Sequence, residues 1–332
     1  MKTAVILTGA LRTIKKTIGY LKRNVLRNVL RSELRSELRS EVHVFACIQN
    51  DTSQSEEEWN AWFAEQLGDH LKCTVWFSPD RFPEWIATRD RLLEQMHLDA
   101  GWKNYLRTSG SMIEYFQLHL AYLRMCYHEG SMGAQYDYLI RARTDTIYNK
   151  PVDFHWLTWT DEEIANRIDR IRLHLDAMRV DVTDMKIINY FMNTIISDDL
   201  ILNLKEIMAE YCPSAIEDIT LDPHLLGEYI REGRYILTIR KNNLYVVRRE
   251  LFCMIPSLAF MYGQFVSPYS DAYWFNAECQ FRSACYHSCL TIFDYNTLLE
   301  DKSLRYAHEW NEEDFFTDGV CDPRMLFCVV RK

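Results

Sequence analysis

The chain has 332 residues, of which 48% are hydrophobic and 26% are charged, so it is long enough to bury a large core. Its net charge of −9 argues against a general nucleic-acid binder, which would present a basic face. No run of about 20 apolar residues occurs, which excludes a membrane-spanning helix.

The first predicted element is a strand over residues 3–7, an apolar run that ends at Thr8 and Gly9. Basic residues follow without a small-residue cleavage site, so the run reads as a strand rather than a signal peptide. A strand, a glycine turn and a basic helix are typical of the start of a nucleotide-binding α/β domain. No G-x-G-x-x-G or Walker motif is present, and an ordinary turn with a solvated Arg12 is the alternative.

The next elements alternate between helix and strand. Residues 23–42 form a tandem repeat led by arginines, which predicts a lengthened outer helix with no assigned chemistry. Strands over 41–48 and 73–77 flank an amphipathic helix over 56–67. This alternation predicts a mostly parallel sheet. Because the carboxyl ends of parallel strands share an edge, Asn50 is expected near the end of the first strand, where a base and ribose could lie.

A long helix is predicted over residues 109–129. Tyr115 and Gln117 are expected away from its buried stripe. That stripe is predicted to consist of Ile113, Phe116, Leu120 and Leu123.

An apolar run that ends abruptly in charged residues occupies positions 136–146, with the sequence Tyr-Asp-Tyr-Leu-Ile-Arg-Ala-Arg-Thr-Asp-Thr. Residues 138–140 are predicted to end a buried strand, at the edge where open α/β sheets bind ligands. Arg141 and Arg143 could hold a diphosphate there by forked hydrogen bonds. Asp145 could hold a divalent cation that bridges the same phosphates. The alternative is a strand-end ion pair between Arg143 and Asp145.

This segment resembles the strand-to-metal-loop junction of GT-A-type, nucleotide-sugar-dependent glycosyltransferases. It is similar to a branch in which Tyr-Asp-Tyr-x-Ile-Arg-x-Arg-x-Asp replaces the usual Asp-x-Asp. Only the second acid is present here, as Asp145, and Arg143 stands where the first would be. The resemblance implies Mn²⁺ or Mg²⁺ at Asp145. However, an arginine at position 143 could neutralise phosphate without a metal.

The resemblance extends to the first strand and the long helix. Related transferases open with Ser/Thr-Gly-x-Leu-Arg, which is similar to Thr8-Gly9-Ala-Leu-Arg12. It implies that Gly9 lets backbone N–H groups approach the nucleotide and that Arg12 reaches a phosphate. The helix before the Arg-x-Asp strand lends a polar side chain to the donor site in similar transferases. Gln117 is the candidate here, with a surface glutamine as the alternative.

A second stretch, Trp-Phe-Asn-Ala-Glu-Cys-Gln-Phe at residues 274–281, resembles the C-terminal segment of the same group. In that group an acid opens a helix beside the acceptor, where a carboxylate can take the proton from an attacking sugar hydroxyl. Glu278 is the candidate base, and Asp271 is the reserve. An acid that only favours a helix N-terminus is the alternative for Glu278.

Two further elements lie towards the C-terminus. Residues 235–249 alternate around Asn242 and Asn243, which predicts a β-hairpin. Arg248 and Arg249 either reach phosphate or line an edge strand. The apolar residues 325–330 predict a last strand or a packed strap.

Taken together, the patterns predict an α/β protein with a mostly parallel sheet flanked by helices and a helical and hairpin C-terminal half; the resemblance makes this a GT-A-like fold. Residues 1–150 would bind the nucleotide sugar and residues 151–332 the acceptor, within one continuous domain. The implied reaction moves a sugar from a nucleoside diphosphate sugar to the hydroxyl of a glycan or glycoconjugate. The rival classes are another Rossmann-like enzyme that uses NAD or a methyl donor, and a non-catalytic nucleotide- or glycan-binding protein.

The ten cysteines lack the regular close pairing of a disulfide scaffold. With no convincing export signal they predict reduced thiols and a cytoplasmic protein.

Overall fold

The computed structural model describes residues 2–27, 41–94, 100–108, 110–152, 235–239, 243–253, 255, 281, 291–294, 305–307, 316–317, 320–321 and 325–330. Both candidate bases, Asp271 and Glu278, lie outside these residues.

The strands carry most of the fold, and helices fill the long connections between the first four. The strands are β1 (Lys2–Ala10), β2 (Glu41–Gln49), β3 (Leu71–Phe77), β4 (Tyr138–Arg143), β5 (Thr146–Tyr148), β6 (Tyr235–Ile239), β7 (Leu244–Arg248), β8 (Thr291–Asp294), β9 (Arg305–Ala307), β10 (Phe316–Thr317), β11 (Val320–Cys321) and β12 (Met325–Val329). The helices are α1 (Ile14–Tyr20), which continues as a π-helical segment (Leu21–Leu26), α2 (Glu56–Leu67), α3 (Pro83–Glu94), α4 (Ala100–Thr108), α5 (Gly110–Met132) and α6 (Arg249–Phe252). Short 3₁₀ turns span Gly68–His70 and Pro79–Arg81.

Seven strands form one sheet in the order β3-β2-β1-β4-β7-β6-β8. Strands β1 to β4 are parallel neighbours, β7 runs antiparallel between β4 and β6, and β8 is parallel to β6. The predicted α/β class with a mostly parallel sheet is therefore confirmed. From β1 the chain moves outward to β2 and β3, then returns to the other side of β1 as β4. This reversal makes the carboxyl ends of β1 and β4 a topological switch point.

The central strand β1 is buried on both faces. Residues Ala4, Val5, Ile6 and Leu7 are all fully buried, because helices cover both sides of a parallel sheet. This explains why β1 reads as a continuous apolar run and not as an alternating one. On one face α5 packs across β1, β2 and β3.

Helix α5 packs with a wider face than the predicted stripe: Phe116 is buried, and Ile113 and Leu120 pack against the core, as predicted. Tyr115 and Gln117 are buried, whereas Leu123 is 48% exposed. The prediction for Leu123 was therefore wrong. The buried positions Tyr115, Leu118, Ala121 and Met125 follow the three-to-four residue spacing of one helix face. Which face of α5 is buried therefore depends on where the helix contacts the strands and not on where its largest apolar side chains lie.

The predicted hairpin is confirmed, since β6 and β7 pair antiparallel. Because β7 also pairs with β4, it is not an edge strand. Its last residue, Arg248, lies opposite Tyr138 at the amino end of β4, and Arg249 pairs with Glu129 at 2.6 Å. Both proposed roles for these arginines are wrong, because the antiparallel direction places them at the sheet edge opposite Asp145.

A histidine and tyrosine cluster occupies that amino-terminal edge. The Tyr136 hydroxyl lies 2.7 Å from Nδ1 of His43 and 3.2 Å from Nδ1 of His128. Burial lowers the pKa of His43 to about 4, with further lowering by the charges of Lys72 and His128. The carboxylate of Glu41 acts in the opposite direction.

The protein is expected to lose stability as the pH falls from about 6.5 towards 4. An unfolded histidine binds its proton near pH 6.5, whereas His43 in the folded state binds it only near 4, so protonation favours unfolding. Urea midpoints at about pH 7.5 and about pH 5 should therefore differ less in His43→Gln than in the parent protein. An equal pH dependence in both proteins would exclude His43 as the cause.

Candidate functional site

The candidate site lies at the switch point, where β1 and β4 end side by side. Thr8 of β1 is in register with Arg143 of β4. The N–H of Thr144 donates to the Thr8 carbonyl at 3.0 Å, which fixes the loop after β4 against the end of β1. Asp145 follows directly, so it lies at the mouth of the first strand as predicted from the strand ends.

Gly9 is required by a contact within the chain. Its φ is +137°, and a Cβ there would lie 2.1 Å from Oγ1 of Thr144. That hydroxyl donates to the Ala10 carbonyl at 2.8 Å. The N–H groups of Leu11 and Arg12, which follow the turn, both donate to Asp51 at 3.1 Å. These two donors, expected to face the nucleotide, are therefore engaged by Asp51.

Gly9→Ala is expected to destabilise the protein by about 3 kcal/mol, because the new methyl group combines backbone strain with a clash against Thr144. Gly130→Ala is the matched control. Gly130 lies in α5 with open space around it, so alanine there should stabilise by about 0.5–1 kcal/mol. Urea unfolding measures both. A loss below about 1 kcal/mol for Gly9→Ala would show that the loop yields easily.

Arg143 and Asp145 form a bidentate ion pair. Nε and Nη2 of the arginine donate to the two carboxylate oxygens, each at 2.7 Å. The side chains are 28% and 14% exposed, so the pair is accessible from one side. Burial alone would raise the pKa of Asp145, but the Arg143 charge and its hydrogen bonds outweigh burial and lower it. The strand-end ion pair between Arg143 and Asp145, which the sequence offered as an alternative to ligand binding, is therefore present at the switch point.

Arg141 is placed deeper than its neighbour. Strand β4 continues beyond Ile140, where it was predicted to end, and Arg141 is only 1% exposed. Its guanidinium pairs with Glu114 of α5 and donates to the Asn243 carbonyl at 3.1 Å. A ligand that approaches from solvent would therefore meet Arg143 and not Arg141.

Glu114 joins the two arginines, and sequence reasoning missed it. Besides Arg141, its carboxylate lies 3.5 Å from Nη1 of Arg143. Its position three residues before Gln117 on one helix was the available signal, because such residues share a helix face. No local pattern indicates that this helix face meets β4.

The remaining predicted residues divide into three groups. Gln117 is 3% exposed and donates to the Gly9 carbonyl at 3.2 Å, so it belongs to the site and the surface alternative is wrong. Thr8 is buried next to Gly9 in β1, and its hydroxyl has no hydrogen-bond partner among the described residues. Asn50 is used locally, where its amide bonds Thr52 and the Gln54 carbonyl. Arg12 is exposed, and its guanidinium has no hydrogen bond or ion pair within the described part of the chain.

Two backbone hydrogen bonds, one to the segment after β12 and one to a buried tyrosine, hold the residues of the ion pair in place. The N–H of Val330 donates to the Asp145 carbonyl at 2.7 Å, next to the pairing of β12 with β5. Burial raises the pKa of Tyr148 to about 12, so its hydroxyl stays protonated. That hydroxyl donates to the Asn243 carbonyl at 3.3 Å and accepts from the N–H of Arg143 at 3.4 Å.

The charges of the cluster balance. Arg141 and Arg143 offset Glu114 and Asp145. Among the described residues no group of three or more His, Cys, Asp or Glu side chains could hold a metal ion. Asp145 thus offers one carboxylate. Mg²⁺ is commonly held by one or two carboxylates together with substrate phosphates, so the residues present suit a metal only in company with a diphosphate.

Fold and site together define an α/β protein with a mostly parallel sheet and a charged polar cluster at its switch point, where such proteins bind ligands. Among solved structures, the chain is similar to mouse xyloside xylosyltransferase 1 in its apo form, with 11% sequence identity and a TM-score of 0.30. The match covers 99% of this chain and 97% of that chain. No protein-family model and no curated protein matches the sequence. Within the described ranges, no helix is both long and apolar enough to cross a membrane.

Proposed function

We propose that the protein is a glycosyltransferase that moves a sugar from a nucleoside diphosphate sugar to the hydroxyl of a glycan or glycoconjugate. The observation that carries the proposal is the bidentate Arg143–Asp145 pair at the switch point. It occupies the place where an α/β sheet binds ligands, within the motif that resembles the GT-A-type metal-loop junction. Residues 1–150 would supply the donor half and residues 151–332 the acceptor half.

Donor binding requires an exchange of partners in this pair. The diphosphate competes with Asp145 for the forked donors of Arg143, since phosphate and carboxylate accept the same geometry. Glu114, 3.5 Å from Arg143, keeps the guanidinium compensated while Asp145 is released. The diphosphate adds negative charge to a cluster that is neutral, and a divalent cation on the released carboxylate would restore the balance. Metal and diphosphate are therefore expected to bind together.

The proposal assigns roles to six of the predicted residues. Arg143, with the exposed Arg12 that follows β1, stabilises the charge that grows on the departing diphosphate. Mn²⁺ or Mg²⁺ on Asp145 supplies further charge neutralisation when it is bound. Gln117 holds the Gly9 turn in place through its amide. Glu278 is proposed as the base that takes the acceptor proton, with Asp271 as the reserve.

A donor-hydrolysis panel tests the proposal. The full chain is incubated without acceptor with UDP-, GDP- and ADP-linked sugars, with and without EDTA, and release of free sugar is measured. We expect slow hydrolysis of one donor class, with loss of activity in EDTA if the cation is required. Thermal shift with the same donors, NAD and S-adenosylmethionine runs in parallel. Stabilisation by NAD or S-adenosylmethionine alone, without donor hydrolysis, would overturn the assignment.

A further inference from the structure

A cavity lies away from the switch point, between the π-helical segment Leu21–Leu26 and the end of α2. Its volume is about 250 Å³. The helix that begins after the Gly9 turn runs roughly 12 Å from Ile14 before it reaches Lys22 at this cavity. One wall residue, His70, bonds the carbonyl of Val42 at 2.8 Å, near the amino end of β2. The lining residues are Lys22, Arg23, Leu26, Arg27, Gln66, Leu67 and His70.

Among the described residues, the cavity wall carries three cations and no acid. Within the described part of the chain, Lys22, Arg23 and Arg27 form no ion pair. Lys22 makes one long contact, 3.5 Å from Nζ to the Gln66 amide oxygen. The guanidinium of Arg23 lies over the ring of Tyr20, 4.8 Å from its centroid. Three like charges that line one space repel each other, and an anion among them would lower that cost.

Size and surroundings restrict the anion. Leu26 and Leu67 are both 3% exposed, and this apolar floor strengthens attraction at the cations above it. The volume is that of about eight water molecules at ~30 Å³ each. It falls below the ~300–1,000 Å³ of pockets that take drug-sized ligands. A single tetrahedral oxyanion group fits this space.

The chemistry of the wall cations favours phosphate. Because the Val42 carbonyl can only accept, Nδ1 of His70 donates to it and is not available to an anion. The anion is therefore held by Lys22 and the two arginines, whose planar forks match phosphate oxygens. Arg23 and Arg27 lead the first two units of the tandem repeat, to which the sequence assigned no chemistry.

We propose that this cavity is a binding site for the phosphate group of a small phosphate ester, separate from the switch-point site. The test uses the full chain with ¹³C-labelled histidine and inorganic phosphate as the probe. The His70 signal is assigned by its absence in His70→Gln. We expect that signal to shift saturably with phosphate, and not with the same ionic strength of sodium chloride.

Two variants decide the matter. The double variant Lys22→Gln/Arg27→Gln should weaken the phosphate response of His70 at least tenfold, whereas Lys15→Gln, on the same helix but outside the cavity, should leave it unchanged. Asp145→Asn should also leave the phosphate response of His70 unchanged, which separates this site from the proposed donor site.

A non-saturable shift, or an equal response in the double variant, would overturn the proposal. Glycerol phosphate and phosphatidate-containing vesicles then distinguish a soluble ester from a lipid headgroup, and binding of either retains the site.

Discussion

Asp145→Asn is expected to reduce donor hydrolysis at least 10²-fold, the loss typical when one charge-stabilising group is removed from an active site. The amide keeps the size of the side chain but removes the charge that would hold the cation. Arg143 keeps a carboxylate partner in Glu114, so the fold should survive. The measurement is the rate of sugar release from the donor that the panel identifies, together with the urea midpoint of the variant.

Two comparisons make this prediction specific. Asp80→Asn replaces an exposed carboxylate on the 3₁₀ turn Pro79–Arg81 and should leave the rate unchanged. The swap Arg143→Asp/Asp145→Arg keeps an ion pair at the strand end but exchanges the positions of the charges, so it should remain folded and inactive. Activity close to that of the parent protein in Asp145→Asn would remove Asp145 from the mechanism.

The ion pair also sets a pH dependence. The pKa of Asp145 is lower in the folded protein than in the unfolded chain. Its contribution to stability is therefore fully present above the usual carboxyl pKa of about 3.9 and is lost as the pH falls through the folded value. In acid, Asp145→Asn should accordingly lose less stability than the parent protein. A parallel loss in both would show that other carboxylates control acid unfolding.

Glu114→Leu is expected to destabilise the protein by about 3–5 kcal/mol, the usual cost of leaving a buried charge without its partner. Arg141 is 1% exposed and would keep only the Asn243 carbonyl. Urea unfolding measures the loss, and Glu57→Gln, an exposed acid in the first turn of α2, is the control. A loss below about 1 kcal/mol would show that Arg141 finds another partner.

A double variant separates the ion pair from the packing around it. In Glu114→Leu/Arg141→Leu neither charge remains, and apolar replacement of both partners of a buried pair is often close to neutral. The Asn243 carbonyl loses the Arg141 donor but keeps the Tyr148 hydroxyl. Most of the stability should therefore return. If the double variant is as unstable as the single one, the deficit comes from packing and not from the unpaired charge.

Local patterns predicted the framework well. The run over residues 3–7 gave β1, and the apolar pattern of residues 56–67 gave α2 with its bounds intact. Ser55 caps that helix with a reciprocal capping box to Glu58. These elements were predictable because their signals, periodicity and caps, lie within a few residues of each other in the chain.

The end of β4 was not predictable in the same way. The arginines after Ile140 suggested that the strand had left the core, yet Arg141 is buried within it. Its burial is possible only because Glu114, from a helix 27 residues earlier, supplies the opposite charge. A long-range partner reversed what the local charge pattern indicated.

By itself, the sequence determined the alternation of strands and helices, the acidic and guanidinium groups at the end of β4, and a glycine after β1. Only the tertiary structure decided what these residues contact: Thr144 against Gly9, Glu114 between two arginines, and the C-terminal strand beneath Asp145. Secondary structure follows from neighbouring residues, whereas the pairing of buried charges depends on segments that meet only when the sheet is assembled.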